Sequence, residues 1–94
     1  MANYKVRETV KFKKDLARLI RRGRDITLLE SVVAMLATGS PLPERCRDHP
    51  LQGDWAGYRD CHVAPDWVLI YKIERNILFL TLTRTGSHTD LGIE

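Results

Sequence analysis

Residues 58–86, YRDCHVAPDWVLIYKIERNILFLTLTRTG, decide the fold of this chain. The segment contains three β-prone runs, residues 58–63, 67–73 and 77–85. Pro65-Asp66 forms a turn between the first two runs, and residues 74–76 form a turn between the last two. Proline is favoured at the second position of a tight turn, and runs joined by short turns pair as neighbouring antiparallel strands. The segment therefore predicts a three-stranded antiparallel meander.

The residues before the meander predict one more strand and two helices. Residues 3–8 alternate as a short strand with Tyr4 and Val6 facing inward. Thr9 is a good N-cap for a first helix that ends at Gly23, and Asp25 can cap a second. The apolar residues repeat at helical spacing in both: Phe12, Leu16, Leu19 and Ile20, then Ile26, Leu29, Val32, Val33 and Leu36.

The expected architecture is α+β with the order β-α-α-β-β-β, in one domain of residues 1–94. The two helices are joined by a short link, so we expect a helix hairpin packed on one face of an antiparallel sheet. Residues 40–57 contain three prolines and two glycines, which predicts a long loop. Strand alternation places Asp60 and His62 on the same face, which we expect to be open to solvent.

Charge is distributed unevenly along the chain. The net charge is +3, but residues 1–47 carry +6 and residues 48–94 carry −3. The excess lies mostly between Lys11 and Arg24, and a cationic helix face attracts phosphates. A solvated helix face or a docking surface for an acidic protein explains the same charge equally well.

Two cysteines and the absence of long apolar runs indicate an intracellular setting. Cys46 and Cys61 match no zinc spacing, so two reduced, partly buried thiols are expected. No apolar run approaches the ~20 residues of a membrane span, and no secretory signal is recognisable. We therefore expect a cytoplasmic protein without a membrane partner.

All three histidines, His49, His62 and His88, lie in the second half of the chain. Imidazole exchanges protons near neutral pH, so histidines gathered in a small basic domain suggest proton-transfer chemistry on an anionic polymer. The motifs around them occur in the order HPLQG (49–53), GYRD (57–60), H-x-x-PDW (62–67) and RTG-x-H (84–88). In this combination the chain closely resembles the YafQ branch of the RelE/ParE toxin superfamily.

The resemblance implies a RelE-like fold and the toxin of a type II toxin–antitoxin pair. Members of this branch cut messenger RNA in the decoding site of the ribosome, without a metal or organic cofactor. The implied partners are mRNA, the ribosome and a DinJ-like antitoxin with a ribbon-helix-helix part. Operator DNA would be bound only through the toxin–antitoxin complex.

The resemblance also assigns roles to individual residues. His49, His62, Asp66 and His88 correspond to the family's functional positions. We expect His88, on a mobile tail, to be the first candidate for proton transfer and His49 the second. His62 would hold the phosphate, and Asp66 would accept a proton or orient a histidine. Each residue also has a purely structural explanation. His88 can be a surface histidine and His49 a loop histidine, while Asp66 can be a turn residue. His62 can be a structural histidine paired with Asp60 or Asp66.

Further residues are expected to bind RNA. Trp67 can stack a base, unless it is a core tryptophan, and Arg84 can neutralise the scissile phosphate, unless it pairs with Asp60 or Asp90. Trp55 is expected to be a packing residue. Gly92 stands where family members can carry an aromatic, which removes a stacking contribution from the tail. Three lysines of the first helix are expected to contact ribosomal RNA: Lys11, Lys13 and Lys14.

Two other functions fit the same residues. The chain can be a binding module for RNA or the ribosome whose histidines play no catalytic part. Alternatively, three histidines and Asp66 can form a catalytic zinc site. No H-x-H or H-E-x-x-H spacing supports zinc, so that hypothesis depends on the number of ligands alone.

Overall fold

The structure is a computed structural model that describes residues 3–92. It contains five strands and three α-helices in the described part. In chain order they are β1 (Lys5–Glu8), α1 (Val10–Arg21), α2 (Ile26–Ala37), β2 (His49–Pro50), β3 (Arg59–Ala64), β4 (Trp67–Glu74), β5 (Phe79–Gly86) and α3 (His88–Leu91).

The first two helices begin at the predicted capping residues. The Thr9 hydroxyl accepts a hydrogen bond from the Phe12 amide at 3.0 Å, and the Asp25 carboxylate accepts one from the Thr27 amide at 3.1 Å. These side chains satisfy amides that lack a partner within the helix. Gly23 follows α1 with a φ of +79°, a left-handed conformation that favours glycine, so the predicted end of α1 is confirmed.

The sheet has the order β1-β5-β4-β3-β2. Strands β3, β4 and β5 form the predicted antiparallel meander. Strand β1, however, pairs in parallel with β5, so the sheet is mixed and not wholly antiparallel as expected. Side-chain alternation is the same in parallel and antiparallel strands, and therefore the sequence pattern did not reveal the direction of this pairing.

The main core lies between the two long helices and one face of the sheet, as predicted. Its most enclosed large side chains come from α1 and the meander: Phe12, Trp67, Leu69, Tyr71, Leu80 and Leu82. The predicted burial is wrong for two residues, because Val6 is 45% exposed and Ile20 is 55% exposed. Both lie at the margins of their elements, where periodicity does not report how far the neighbouring layer extends.

The predicted loop of residues 40–57 is more structured than expected. It contains two 3-10 turns, Glu44–Cys46 and Gly53–Trp55, and the edge strand β2. The second half of this segment folds over the sheet face opposite the helices. There a second cluster forms from buried Val68, Ile70 and Leu91 with half-buried Leu51, Trp55 and Tyr58. This face is therefore partly covered, not open, and Trp55 is a packing residue as predicted.

The segment that begins at Ser87 forms the short helix α3. The Ser87 hydroxyl accepts from the Asp90 amide at 3.0 Å, while the Asp90 carboxylate accepts from the Ser87 amide. Leu91 is buried in the second cluster. The prediction of a mobile tail is therefore wrong for residues 87–92, and the last two residues of the predicted tail lie outside the described part. No helix within residues 3–92 is long and apolar enough to cross a membrane.

Candidate active site

Strands β2 and β3 place His49 directly against Asp60. The two residues face each other in the antiparallel register, and His49 Nδ1 lies 3.1 Å from Asp60 Oδ1. Asp60 is 1% exposed, whereas the His49 side chain is 49% exposed. A buried carboxylate thus supports an imidazole that remains accessible to a substrate.

His62 and His88 lie beside each other near the same carboxylate. Their ring centroids are 5.1 Å apart, although 26 positions separate them in the chain. His88 is the first residue of α3, and its Nδ1 lies 3.8 Å from Oδ1 of Asp66, which is highly exposed in the β3–β4 turn. The three predicted histidines therefore lie within electrostatic reach of Asp60, and the fourth predicted residue, Asp66, lies beside His88.

Asp60 is the central anion of this group, although the sequence suggested it only as a possible partner of His62 or Arg84. Burial raises the pKa of the Asp60 carboxyl, while the positive charges of His49, His62 and His88 act to lower it. Its buried Oδ1 accepts no hydrogen bond of good geometry from a described residue, so the contact with His49 is electrostatic. The available signal was strand alternation, which places Asp60 two residues from His62 on one face.

Hydrogen bonding assigns a tautomer to His49. Its Nδ1 lies 2.7 Å from the backbone carbonyl oxygen of Arg47 and 3.1 Å from the Asp60 carboxylate. A carbonyl oxygen can only accept a hydrogen bond, so we assign the proton to Nδ1. In neutral His49 the lone pair is then on Nε2, as a general base requires.

Two arginines that were not predicted from the sequence lie beside the histidines. A groove of about 580 Å³ is lined by Arg45, Arg47 and His62 together with residues 63–65. Neither Arg45 nor Arg47 forms an ion pair with a described residue, and both are exposed. The arginines were visible in the loop sequence, but only the folded loop shows that they lie next to His62.

Trp67 is a core residue, so the predicted base-stacking role is wrong for this structure. The residue is 1% exposed, and its indole Nε1 donates to the Thr85 hydroxyl at 2.9 Å. The Arg24 guanidinium lies over the ring, 4.8 Å from its centroid. No face of the indole is left for a base.

Arg84 forms a salt bridge with Asp15, and not with Asp60 or Asp90 as the structural alternative suggested. Its Nε donates to Asp15 Oδ2 at 2.6 Å and a terminal nitrogen donates to Asp15 Oδ1 at 3.1 Å. Asp15 is 2% exposed and also accepts from Arg18 and from the Thr85 amide. The hydrogen bonds to Asp15 raise the pKa of Arg84. This fork holds α1 against β5, so the predicted contact with the scissile phosphate is not available in this conformation.

The remaining predicted positions lie outside the histidine group. Gly92 ends α3 with a φ of +67°, a left-handed conformation that a glycine adopts readily. Cys46 and Cys61 are free thiols, as predicted, and are more fully buried than expected. The three lysines predicted to bind RNA are all exposed on α1: Lys11, Lys13 and Lys14.

The described residues contain no group of three or more histidine, cysteine or acidic side chains arranged to hold a metal ion. The zinc hypothesis therefore gains no geometric support from residues 3–92. What the arrangement does offer is an imidazole with a free nitrogen, two adjoining imidazoles, a buried carboxylate and a groove with two cations. These groups can move protons and bind a phosphate.

Comparison with known proteins identifies the family. The model of the YafQ family, bacterial toxins of type II toxin–antitoxin systems, matches residues 4–92. The mRNA interferase toxin YafQ of Escherichia coli K12 is 43% identical over 81 residues, which cover 85% of this chain and 86% of that protein.

Solved structures agree in fold. The toxin in the E. coli DinJ–YafQ toxin–antitoxin complex superposes with a TM-score of 0.86 and 39% identity, covering 95% of this chain and 97% of that chain. A metal-bound toxin from Helicobacter pylori superposes with a TM-score of 0.87 and 42% identity, covering 97% and 99%. The expected α+β fold and the resemblance derived from the sequence motifs are both confirmed. The chain belongs to the YafQ family of bacterial toxins of type II toxin–antitoxin systems.

Proposed function

We propose that this toxin is an endoribonuclease that cleaves messenger RNA on the ribosome by metal-independent acid–base catalysis. The observation that carries the proposal is the arrangement of His49, His62 and His88 around the buried Asp60. The curated E. coli relative is named an mRNA interferase, which supports the same class of substrate.

The proposed reaction needs one base and one acid. His49 Nε2 removes the proton from the 2′-hydroxyl, and the resulting alkoxide attacks the adjacent phosphorus. The bond between phosphorus and the 5′-oxygen breaks, and the leaving oxygen takes a proton from His88. The products are a 2′,3′-cyclic phosphate and a 5′-hydroxyl, and each positioned proton donor or acceptor contributes roughly 10²- to 10⁴-fold.

The remaining groups of the site stabilise charge and orientation. The negative charge that develops on the phosphate is stabilised by His62 as an imidazolium and by Arg45 and Arg47, which line the same groove. Asp66 orients His88 across 3.8 Å. Arg45 and Arg47 thus replace Arg84 in the role that the sequence analysis gave to that residue.

The helix α1 binds ribosomal RNA in this proposal. Lys11, Lys13 and Lys14 are exposed and carry three positive charges within four positions. They lie on α1, which carries none of the histidines, so they hold the ribosome and not the scissile phosphate. Binding of this kind weakens with salt, since each neutralised phosphate releases counterions.

The proposed regulator of the toxin is a DinJ-like antitoxin with a ribbon-helix-helix part. The E. coli relative occurs in a complex with DinJ, which supports this class of partner. Operator DNA is bound only through the toxin–antitoxin complex. The proposed site of action is the ribosome in the cytoplasm.

Metal-assisted cleavage is the second candidate, because the H. pylori relative is described as metal-bound. Three histidines and Asp66 are the ligands it would use here. A chelator that binds zinc but not magnesium distinguishes the two mechanisms while the ribosomes remain intact. Cleavage that survives this chelator supports acid–base catalysis, and cleavage that is lost and restored by zinc supports the metal.

Mapping of 5′ ends on translated messages tests the proposed function. Expression of the wild-type toxin is expected to produce new 5′-hydroxyl ends within translated reading frames. The His88→Ala variant is expected to produce at least about 10²-fold fewer, while its association with ribosomes is unchanged. A His88→Ala variant that cleaves like the wild type would contradict the role of His88 as the acid. A wild-type protein that binds ribosomes without producing ends would support a non-catalytic binding module instead.

A further inference from the structure

Asp48, the residue before His49, takes part in a side-chain network on the helix-covered side of the sheet. The Tyr71 hydroxyl donates a hydrogen bond to Asp48 Oδ1, and Arg59 Nε donates to the same oxygen at 3.2 Å. Tyr71 is 1% exposed and belongs to the main core. Burial and the hydrogen bond to Asp48 both raise the pKa of the Tyr71 hydroxyl, so it remains a proton donor.

Backbone pairing alone attaches His49 weakly. Strand β2 has only two residues, lies at the edge of the sheet, and pairs through His49 with Asp60 and through Pro50 with Arg59. Pro50 has no amide to donate to the ladder. A two-residue edge strand with one proline offers few hydrogen bonds to fix the backbone from which the catalytic imidazole extends.

We propose that Asp48, held by Tyr71 and Arg59, is a positioning residue for His49. Successive side chains of an extended segment point to opposite faces, so the network anchors one face while His49 meets Asp60 on the other. The anchor fixes the backbone of His49 and thereby the direction of Nε2. This inference rests on the proposed role of His49 as the base.

Asp48 acts through His49 and not on the substrate. Its carboxylate borders a cavity of about 530 Å³ that is also lined by Arg59 and Tyr71, whereas the groove beside His62 has a separate lining. The donors on Asp48 are a tyrosine and an arginine that both come from the meander. A misplacement of about 1 Å can slow an enzyme by ~10²-fold, so loss of the anchor has a measurable cost without any direct chemical role.

A double-mutant cycle on purified toxin tests the proposal. Single-turnover cleavage of messages on programmed ribosomes is measured for Asp48→Ala, His49→Ala and the combination. Asp48→Ala, which removes the oxygen that accepts from both Tyr71 and Arg59, is expected to lower the rate by ~10- to 100-fold with unchanged ribosome affinity. In the His49→Ala background the same substitution is expected to have no further effect, because there is no imidazole left to position.

Two tyrosine variants separate positioning from general damage. Tyr71→Phe removes the hydroxyl bonded to Asp48 but keeps the ring, so its rate is expected to fall in the same direction. Tyr4→Phe alters another tyrosine that lines the same cavity, whose hydroxyl forms no hydrogen bond with a side chain in residues 3–92. Its rate is expected to stay within about twofold of the wild type. Unfolding free energies are measured on all variants, so that a lower folded fraction is corrected for.

Each outcome has a defined meaning. A wild-type rate for Asp48→Ala, or equal losses from Asp48→Ala with and without His49, would overturn the positioning role while the proposed function stands. A wild-type rate for His49→Ala would overturn the assignment of the base and, with it, this inference. Equal losses in Tyr71→Phe and Tyr4→Phe would show that the cavity tolerates no change and would also overturn the specific role of Asp48.

Discussion

Asp15 and Asp60 are both buried carboxylates, yet their surroundings differ. Asp15, on the helix-covered side, is 2% exposed and accepts hydrogen bonds from Arg84, Arg18 and the Thr85 amide. Asp60, on the histidine side, is 1% exposed, and its Oδ1 accepts no hydrogen bond of good geometry within the described part of the chain. The first carboxylate is matched by fixed cations, whereas the second is surrounded by imidazoles whose charge depends on pH.

The difference separates a structural anion from a functional one. Fixed partners hold α1 on the sheet and leave Asp15 no freedom to respond to a substrate. Asp60 instead retains an unfavourable burial energy, and its raised pKa records that cost. Active sites often keep such under-paired groups at the expense of stability.

Removing Asp15 should produce the largest effect on stability. Asp15→Ala leaves the buried side of Arg84 without its anion, and breaking one partner of a buried pair costs about 3–5 kcal/mol. Urea denaturation is expected to show a loss of this size, while the cleavage rate of the folded fraction remains near that of the wild type. A matched control is Asp25→Ala on the exposed cap of α2, with an expected cost of about 1 kcal/mol. A loss below that of the control would contradict the structural role of Asp15.

Trp67, like Asp15, is expected to contribute to stability and not to cleavage. Trp67→Phe removes the hydrogen bond to the Thr85 hydroxyl and part of the buried ring, so the unfolding free energy should fall by roughly 1–3 kcal/mol. Cleavage by the folded variant should stay within about threefold of the wild type. A large loss of cleavage at unchanged stability would restore the base-stacking role that its burial argues against.

The lysines of α1 should affect binding and not chemistry. Neutralising Lys11, Lys13 and Lys14 together is expected to weaken ribosome association by about tenfold at moderate salt. The slope of log affinity against log salt should flatten by about 2, as three fewer phosphate contacts imply. Single-turnover cleavage on saturated ribosomes should not change. Unaltered affinity and salt dependence would show that this helix face is only solvated.

Asp60→Asn should give the smallest change in stability, with a characteristic dependence on pH. The folded-state pKa of Asp60 lies above its ordinary value of 3.8. A raised carboxyl pKa contributes stability that is fully present below the unfolded-state pKa and is lost as pH rises through the folded-state pKa. The variant lacks this loss, so its stability relative to the wild type should increase as the pH rises from about 4.

Urea denaturation of both proteins between pH 4 and 5.5, below the usual titration range of histidine, measures this difference. Cleavage by Asp60→Asn should nevertheless fall, because the variant removes the charge that supports His49. A stability difference that runs in the opposite direction would show that Asp60 is as well matched as Asp15, and the comparison between the two carboxylates would fail.

Local patterns predicted the meander and both long helices, since turns, caps and periodicity are written in adjacent residues. Thr9, Gly23 and Asp25 all act as their residue types suggest. The parallel pairing of β1 with β5 joins residues more than 70 positions apart, and no local pattern contains that information. The edge strand β2 is too short to show any alternation.

The site shows the same division between local and distant information. The four catalytic candidates were found from imidazole chemistry and motif resemblance, and the structure brings them together. The roles of three residues were not predicted correctly, because they depend on what packs against each side chain. Arg24 lies on the Trp67 indole, and Asp15 pairs with the Arg84 guanidinium. Three imidazoles lie around the Asp60 carboxylate. Side-chain identity alone does not contain these partners.

The pH dependence of single-turnover cleavage tests the central claim most directly, namely that His49 and His88 act as base and acid in one site. The wild type is expected to show a bell-shaped profile. His49→Ala should lose the acidic limb, and His88→Ala should lose the alkaline limb, at unchanged ribosome affinity. Profiles that keep both limbs in both variants would contradict the account.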